Sequence, residues 1–496
     1  MIVFLIVPAL LLLSLLTLSR PSSALVLLTA LLPTYLIQFS FFSLPTNLLE
    51  ASIVTVFFFT FIQPSIRRQW PIIWRALPSF LHLLIALFVL SAIVSTIISP
   101  HILTSLGILK GWIIVPLLLG WLIISAQSFF PSSDSAPEPL RSPFAETKTL
   151  PAKTFSPNYY FLIIQSLVLS GNIVALLGLS QINHLARIKS VYDVPNSLAL
   201  YLVPLLVISV WLFFNRHQRL FYLPSSLILA AALLATQSVA GISAAFISVS
   251  IGLILFQPTS TSTATRRPLY LRWGAVLTLV FISLGYLSST GRLTYLLQPL
   301  SSSDTHNSLS VRQQLWSISV DLIKDHPLLG VGLGTFEPAY QNQLHERFTQ
   351  FANCQLSTKK CESPLPEFVF RDPHNWLLSF WLNTGLLGLV SFILLNAYIL
   401  VHAWRSVLKI TGGHNQHSIT PIQTNHFLIT YQTQTLTLAL LSILIFGLAD
   451  TIYWKNDLAA LHWTIVTCLI AQTFSHLLLT ITKNQTSNHP SRKIHL

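Results

Sequence analysis

Phe370-Arg371-Asp372-Pro373-His374-Asn375-Trp376-Leu377-Leu378-Ser379-Phe380-Trp381, continuing as Leu382-Asn383-Thr384-Gly385-Leu386-Leu387-Gly388-Leu389, joins two charges and a histidine to a run that stays mostly apolar as far as Ala403. A helix of about 20 apolar residues crosses a bilayer, so the stretch predicts a membrane span with a polar entry. Pro373 suits a first helical turn, where its missing N–H would have no partner, and Asp372 before it is a natural N-cap. His374 would then ride on the first turn, at the water boundary. A side chain that titrates near neutrality, placed there, can move a proton on a substrate arriving from the lipid. Equally, His374 and Asn375 can do no more than satisfy a helix end.

The whole chain repeats that character. Of its 496 residues 52% are hydrophobic and only 9% charged, and the mean hydropathy is +0.66. Soluble domains carry about 25% charged residues, so the composition predicts an all-α, polytopic integral membrane protein. Apolar runs fall near 2–19, 24–43, 48–63, 78–98, 105–127, 159–179, 197–214, 221–237, 240–256, 273–289, 383–403, 430–449 and 457–480. That predicts about 12–14 transmembrane helices. The first run has no basic n-region and no small-residue cleavage site, and reads as a retained span. The net charge of +13 does not indicate nucleic acid, because the basic residues lie in short segments between the apolar runs.

Those segments orient the spans. Arg67/Arg68/Arg75, Arg216/Arg219, Arg266/Arg267/Arg272, Arg405/Lys409 and the tail with Lys483, Arg492 and Lys493 all fall on one side when the spans alternate. Lys/Arg bias assigns that side to the cytoplasm, along with Arg20 and the Pro/Ser-rich segment 128–157, which reads as a disordered connection. Opposite them, 44–50, 99–104, 180–196, 238–239, the loop 290–372 and 450–456 share the outer face. The long loop is expected to hold an amphipathic helix over 311–325, since Leu315, Ile318, Leu322 and Ile323 recur at helical spacing and His326-Pro327 would stop it. Its Cys354 and Cys361 could pair if the loop faces an oxidising compartment.

The outer set gathers Arg187, Lys189, Asp193 and Pro195-Asn196; Arg312 at the head of the loop helix; Arg371, His374 and Asn375; and Asp450 with Lys455. A guanidinium grips phosphate oxygens bidentately and stays charged in a partly dry site. Two arginines and a histidine on one face are what a lipid-pyrophosphate donor requires, although each arginine alone reads as a headgroup anchor. Gly330-Val331-Gly332-Leu333-Gly334-Thr335-Phe336 is not a dinucleotide fingerprint, lacking a strand–turn–helix unit, and is expected to be a flexible turn returning the loop helix to the membrane. The outer histidines show no metal spacing, no serine-nucleophile elbow is present, and no cofactor is expected. Glu50, just inside a span, is a costly place for a charge and is expected to bond a neighbouring span.

Three linked motifs carry a resemblance. Arg312-Gln-Gln-Leu-Trp316, then Asp325-His326-Pro327-Leu-Leu-Gly330-Val-Gly332-Leu-Gly334-Thr335-Phe336, then His374-Asn375 with Gly385-Leu-Leu-Gly388-Leu resemble the O-antigen ligase and O-antigen polymerase family. The likeness extends weakly to Tyr192-Asp-Val-Pro195-Asn196 and to Gly447-Leu-Ala-Asp450, while residues 1–180 match only in hydropathy. This divides the chain into an N-terminal transmembrane region (1–180), a ligase-like region (181–480) that includes the loop 290–372, and a cytoplasmic tail (481–496).

The resemblance implies a metal-independent, multi-pass glycosyltransferase of the inner membrane. Its donor would be a glycan on undecaprenyl pyrophosphate, and its acceptor a hydroxyl of a glycan, lipid or protein at the outer face. His374 matches the family's essential histidine, and Arg312 a loop arginine that holds the pyrophosphate. Arg187, Lys189, Asn375 and Arg371 are the further candidates for binding substrate. One position departs from the pattern: Thr236-Gln237-Ser238-Val239 has valine where the family often has arginine. Either Arg187 or Lys189 supplies that charge, or the activity is altered or lost. The competing class is a transporter or flippase, which would show repeated halves and broken helices at the midplane.

Overall fold

The computed structural model describes residues 2–41, 44–126, 157–214, 218–256, 285, 288, 308–355, 370–412 and 421–474. It is an all-α, multi-pass membrane protein. Among the described residues six helices are long and apolar enough to span a bilayer: Ser79–Ile97, Ile102–Ala126, Asn158–Leu179, Pro195–Phe214, Trp376–Leu408 and Leu428–Gly447. Leu48–Phe61 and Pro64–Ala76 pass the same test as a pair bent by 86°, the bend falling where Pro64 removes a helical N–H. Shorter apolar helices at Ile6–Ser19, Pro21–Ala30, Arg219–Ala235 and Val239–Leu255 occupy four more of the expected runs, and Asn456–Thr473 is buried along its whole length. The run at 273–289 apart from residues 285 and 288, the connection 128–156, the tail 481–496 and the pairing of Cys354 with Cys361 lie outside the described residues.

Two expectations about local structure are corrected. The run 24–43 is not one span. Its helix ends at Ala30, a 3-10 turn holds Pro33 (Leu32–Leu36), and Gln38–Phe41 then pairs antiparallel with Leu44–Asn47. Proline interrupts the helical ladder, and the aromatic residues after it favour a pleated strand. The second correction concerns Gly330–Gly334, which is no flexible turn. Gly330, Gly332 and Gly334 all take positive φ, and the segment threads into the bundle. The Val331 amide donates to Leu382 O at 2.9 Å, Leu386 donates to Leu328 O at 3.0 Å, and Gly334 donates to the Asn383 side chain at 2.7 Å.

That threading accounts for the break in the helix Trp376–Gly412 at Gly385 (φ 69°, ψ −179°), a conformation open to essentially glycine alone. A Cβ on Gly385 would run into Leu328 O, and one on Gly330 into Leu382 O. The two backbones therefore cross at the two glycines. The loop helix (Ser308–Asp325) ends as expected at His326-Pro327. It buries Leu315, Ile318, Leu322 and Ile323 against Phe336, Tyr340, Phe370 and Leu382.

The described parts of the segments assigned together to one face meet at one end of the bundle. Lys110 reaches Pro45 O and Glu50, and Asn456 reaches Glu50. Ser105 donates to Leu333 O, and Gln237 to Ala186 O. Lys455 bonds Ser197, and His374 bonds Asp450. Glu50 thus bonds a neighbouring helix, as expected, and gains an ion pair with Lys110 at 2.9 Å.

Candidate active site

The site is built on the turn Asp372–Asn375. Asp372 does not cap the helix, and His374 does not ride on its first turn. The Asp372 carboxylate instead accepts the His374 backbone N–H, two residues on, at 3.0 Å, a local bond that competes with helix formation. His374 takes φ +49°. Asn375 is the residue that starts the helix, its Oδ1 accepting the N–H groups of Leu377 (2.9 Å) and Leu378 (3.2 Å). Its Nδ2 donates to Leu448 O at 3.0 Å, so the protein itself engages both ends of that amide.

The neighbouring loop supplies two consecutive residues that grip this turn. His374 Nδ1 donates to Asp450 Oδ1 at 2.9 Å, and the Thr451 hydroxyl donates to Asp372 Oδ1. Thr451 also donates its backbone N–H to Asp450 Oδ1 at 2.8 Å. Asp450 is 4% exposed, whereas about a third of the His374 side chain is open (32%). Burial disfavours charge on the imidazole, but the Asp450 hydrogen bond and charge, with help from Asp372, outweigh it and raise the His374 pKa to about 9. Burial likewise opposes ionisation of Asp450, yet His374, the Thr451 amide and Arg312 hold its carboxyl below the usual range. With Nδ1 bound to Asp450, Nε2 is the nitrogen left to meet a substrate.

Arg312 comes to the same place from the loop helix, near enough for its charge to act on both His374 and Asp450. Its Nε is buried with no hydrogen-bond partner, and so is Asp450 Oδ2. Trp316, one helical turn on, donates its indole N–H to Pro373 O at 3.0 Å. Arg371 is exposed.

Arg187 and Lys189 belong to a separate turn. Arg187 Nε donates to Thr236 O at 2.8 Å, and its terminal nitrogen to Asn196 Oδ1 at 3.2 Å. Its guanidinium is therefore fastened to the very turn that carries Val239, while Lys189 is exposed. The two turns are linked through the loop after Asp450, because Lys455 bonds Ser197 beside Asn196.

Asp372, His374 and Asp450 each present a ligand atom within 4.8 Å of the others, a set that no spacing in the sequence announces and that could hold a cation. As it stands, the same set forms a hydrogen-bonded His–Asp pair beside a guanidinium. Such a pair can take a proton at Nε2, and the guanidinium can stabilise a developing anion. In the sequence Asp450 stands with Lys455 on the outer face and closes Gly447-Leu-Ala-Asp450, and nothing in that spacing pairs it with His374.

Residues 224–393, about a third of the chain, match the O-antigen ligase family model. The matched stretch holds Arg312, Trp316 and His374 and stops short of Arg187 and Asp450. No curated protein matches the chain.

Proposed function

We propose, from the premise that this chain belongs through residues 224–393 to the O-antigen ligase family, that it transfers or polymerises a glycan carried on undecaprenyl pyrophosphate. The acceptor is a hydroxyl of a glycan, lipid or protein at the outer face of the inner membrane. The observation that carries this reading is the meeting of Arg312 with a His374 already paired to Asp450, all at one end of a membrane bundle. The acceptor oxygen attacks the anomeric carbon and gives its proton to His374 Nε2. The bond from that carbon to the diphosphate oxygen breaks, and Arg312 stabilises the charge left on the diphosphate. Arg187, held at the Thr236 turn, supplies the second cationic contact that Val239 does not. The diphosphate is already a good leaving group, so the scheme uses no metal. Residues 181–480 form the catalytic region in this reading, with residues 1–180 as an N-terminal transmembrane region. The transporter alternative is not favoured by the family match.

The test is glycan transfer from a lipid-linked donor by the purified full-length protein. General-base help is worth about 10²–10⁴-fold, and a charge-stabilising donor about 10²–10³-fold. His374→Ala and Arg312→Ala are expected to lose activity on those scales with unchanged protein levels, and Arg312→Lys to be nearly as poor. Transfer that requires a divalent ion and stops with chelator would replace the scheme with one built on the Asp372–His374–Asp450 set. Sidedness is tested by labelling His345→Cys and Arg267→Cys in intact cells. An impermeant thiol reagent is expected to reach position 345 and not 267.

The raised His374 pKa favours a second reading, in which the imidazolium joins Arg312 in holding the diphosphate. The pH profile separates the two. At pH 7 about one molecule in a hundred holds neutral His374 if its pKa is about 9. A base must be neutral, so the rate should climb through about pH 9; an imidazolium donor would make it fall there.

A further inference from the structure

We propose that Trp316 is a positioning residue that sets His374 against Arg312. The proposal rests on the reading above, in which those two side chains act together on the lipid-linked donor. Trp316 follows Arg312 by four residues on the loop helix (Ser308–Asp325), so the two side chains share a helix face. Its indole Nε1–H donates to the carbonyl oxygen of Pro373 at 3.0 Å. That carbonyl belongs to the peptide that delivers His374, whose backbone is in the left-handed region (φ +49°). A left-handed non-glycine residue persists only where its surroundings hold it, and here each holder is visible. Asp372 is fastened to Thr451, the His374 ring to Asp450, and Pro373 to Trp316.

The three ties do different jobs. Those to Thr451 and Asp450 fix the turn to the loop that follows Gly447, and neither involves the helix that carries Arg312. Among the described residues, the Trp316 bond is the hydrogen bond joining that helix directly to the His374 turn. The far end of the same helix is fixed independently. After His326-Pro327 the chain crosses the broken helix at Gly330 and Gly385, with Val331 bonded to Leu382 O and Leu386 to Leu328 O. Trp381 adds an indole bond to Pro327 O at 2.7 Å. The loop helix is thus a strut pinned at its end by the crossing and at its start by Trp316. Without the upper pin, Arg312 and His374 keep their own anchors and lose their common register.

A loss of register lowers turnover more than binding, because misplacement of about 1 Å in a reacting constellation can cost around 10²-fold in rate. The bond between His374 and Asp450 is untouched, so the inflection in the pH profile should stay where it is in the wild type. The measurement compares three full-length proteins in the transfer assay: wild type, Trp316→Phe, and a protein carrying β-(3-benzothienyl)alanine at 316. That analogue keeps the shape of indole and replaces its N–H by sulfur. Both altered proteins are expected to lose about 10–10²-fold in kcat, with donor KM within about threefold of wild type and the pH inflection unmoved. The analogue decides the matter even if the phenylalanine variant folds poorly. Wild-type kcat with benzothienylalanine would show that residue 316 contributes packing alone, and the proposal would fall. His374→Ala, run alongside, guards the premise: if it transfers glycan normally the underlying reading fails, whereas an inactive His374→Ala beside a fully active analogue sinks the Trp316 inference alone.

Discussion

Two polar clusters sit at the same end of the bundle, and they are finished differently. In one, Glu50 receives Lys110 at 2.9 Å, Thr46 at 3.0 Å and the Asn456 amide at 2.6 Å. Asn456 in turn accepts from Trp112 Nε1 and donates to Gly111 O. Every bonding atom of Glu50 and Asn456 has a protein partner. In the other, His374, Asp450, Asp372 and Thr451 bond one another, yet Asp450 Oδ2 and Arg312 Nε are buried with none. Buried polar groups in a folded protein are usually satisfied, and one left unsatisfied calls for an explanation. A charge network closed on itself does the work of holding helices together. One that stops short, beside a partly open imidazole, suits the donor site proposed above.

The largest effect expected from this contrast is on transfer. Asp450→Asn removes the carboxylate that orients His374 and does most to raise its pKa, leaving burial and the Arg312 charge opposed by Asp372 alone. We expect a loss of about 10²-fold or more and a pH inflection moved from about 9 to below the ordinary histidine value near 6.5. Glu50→Gln keeps the shape of its cluster and should leave turnover per folded molecule unchanged. Equal losses in the two variants, measured in one assay, would erase the distinction between the clusters.

The next effect is on stability, and it runs the other way. Lys110→Ala leaves Glu50, which is 6% exposed, without its cation but with Asn456 and Thr46 still bonded. A buried group that loses a partner costs about 1–3 kcal/mol. Thermal unfolding in detergent should register that loss, while Arg312→Ala should unfold like wild type. Arg312 ends in no protein ion pair among the described residues, so there is little for its removal to break.

How much of this was legible beforehand follows from the range of each interaction. Hydropathy identified the class and most of the helices, because a span is a local property of about 20 residues. It failed at 24–43, where Pro33 overrides an apolar run; capping preference failed at 372–374, where the Asp372 side chain captures the His374 amide and turns the helix start aside. Residue type and sidedness picked out Arg312 and His374, and the resemblance gave them roles; both lie in the matched stretch. Asp450 was legible only as a member of the outer face, because its bond to His374 spans 76 residues. Trp316 sat inside a quoted motif with no role, since nothing in the spacing shows that its N–H meets Pro373. The Gly330–Gly334 run looked flexible for a related reason: positive-φ glycines serve a loose turn and a tight backbone crossing alike, and only the partner strand of chain tells them apart.

The smallest effect expected is a dependence of stability on pH that only one cluster can produce. The folded-state pKa of His374, about 9, lies above its ordinary value of 6.5. The folded protein therefore binds a proton more tightly than the unfolded chain does. By linkage, that contribution is fully present below about pH 6.5 and is lost as the pH rises through about 9. Asp450 has the opposite sign and titrates far below this window: its depressed pKa gives stability that is present above the usual carboxylate range and lost only in acid. The imidazole is a third open to solvent, which screens the pair and keeps the effect modest. In a chain of this length each kcal/mol moves Tm by about 1 °C, so the wild-type decline between pH 6.5 and 9 should be about 1–3 °C. Histidines elsewhere contribute equally to wild type and to His374→Ala, and subtracting the two curves isolates the pair. A difference curve that is flat across the window would mean that His374 is not held charged by Asp450. The climb of the transfer rate toward pH 9 would then have to come from another group.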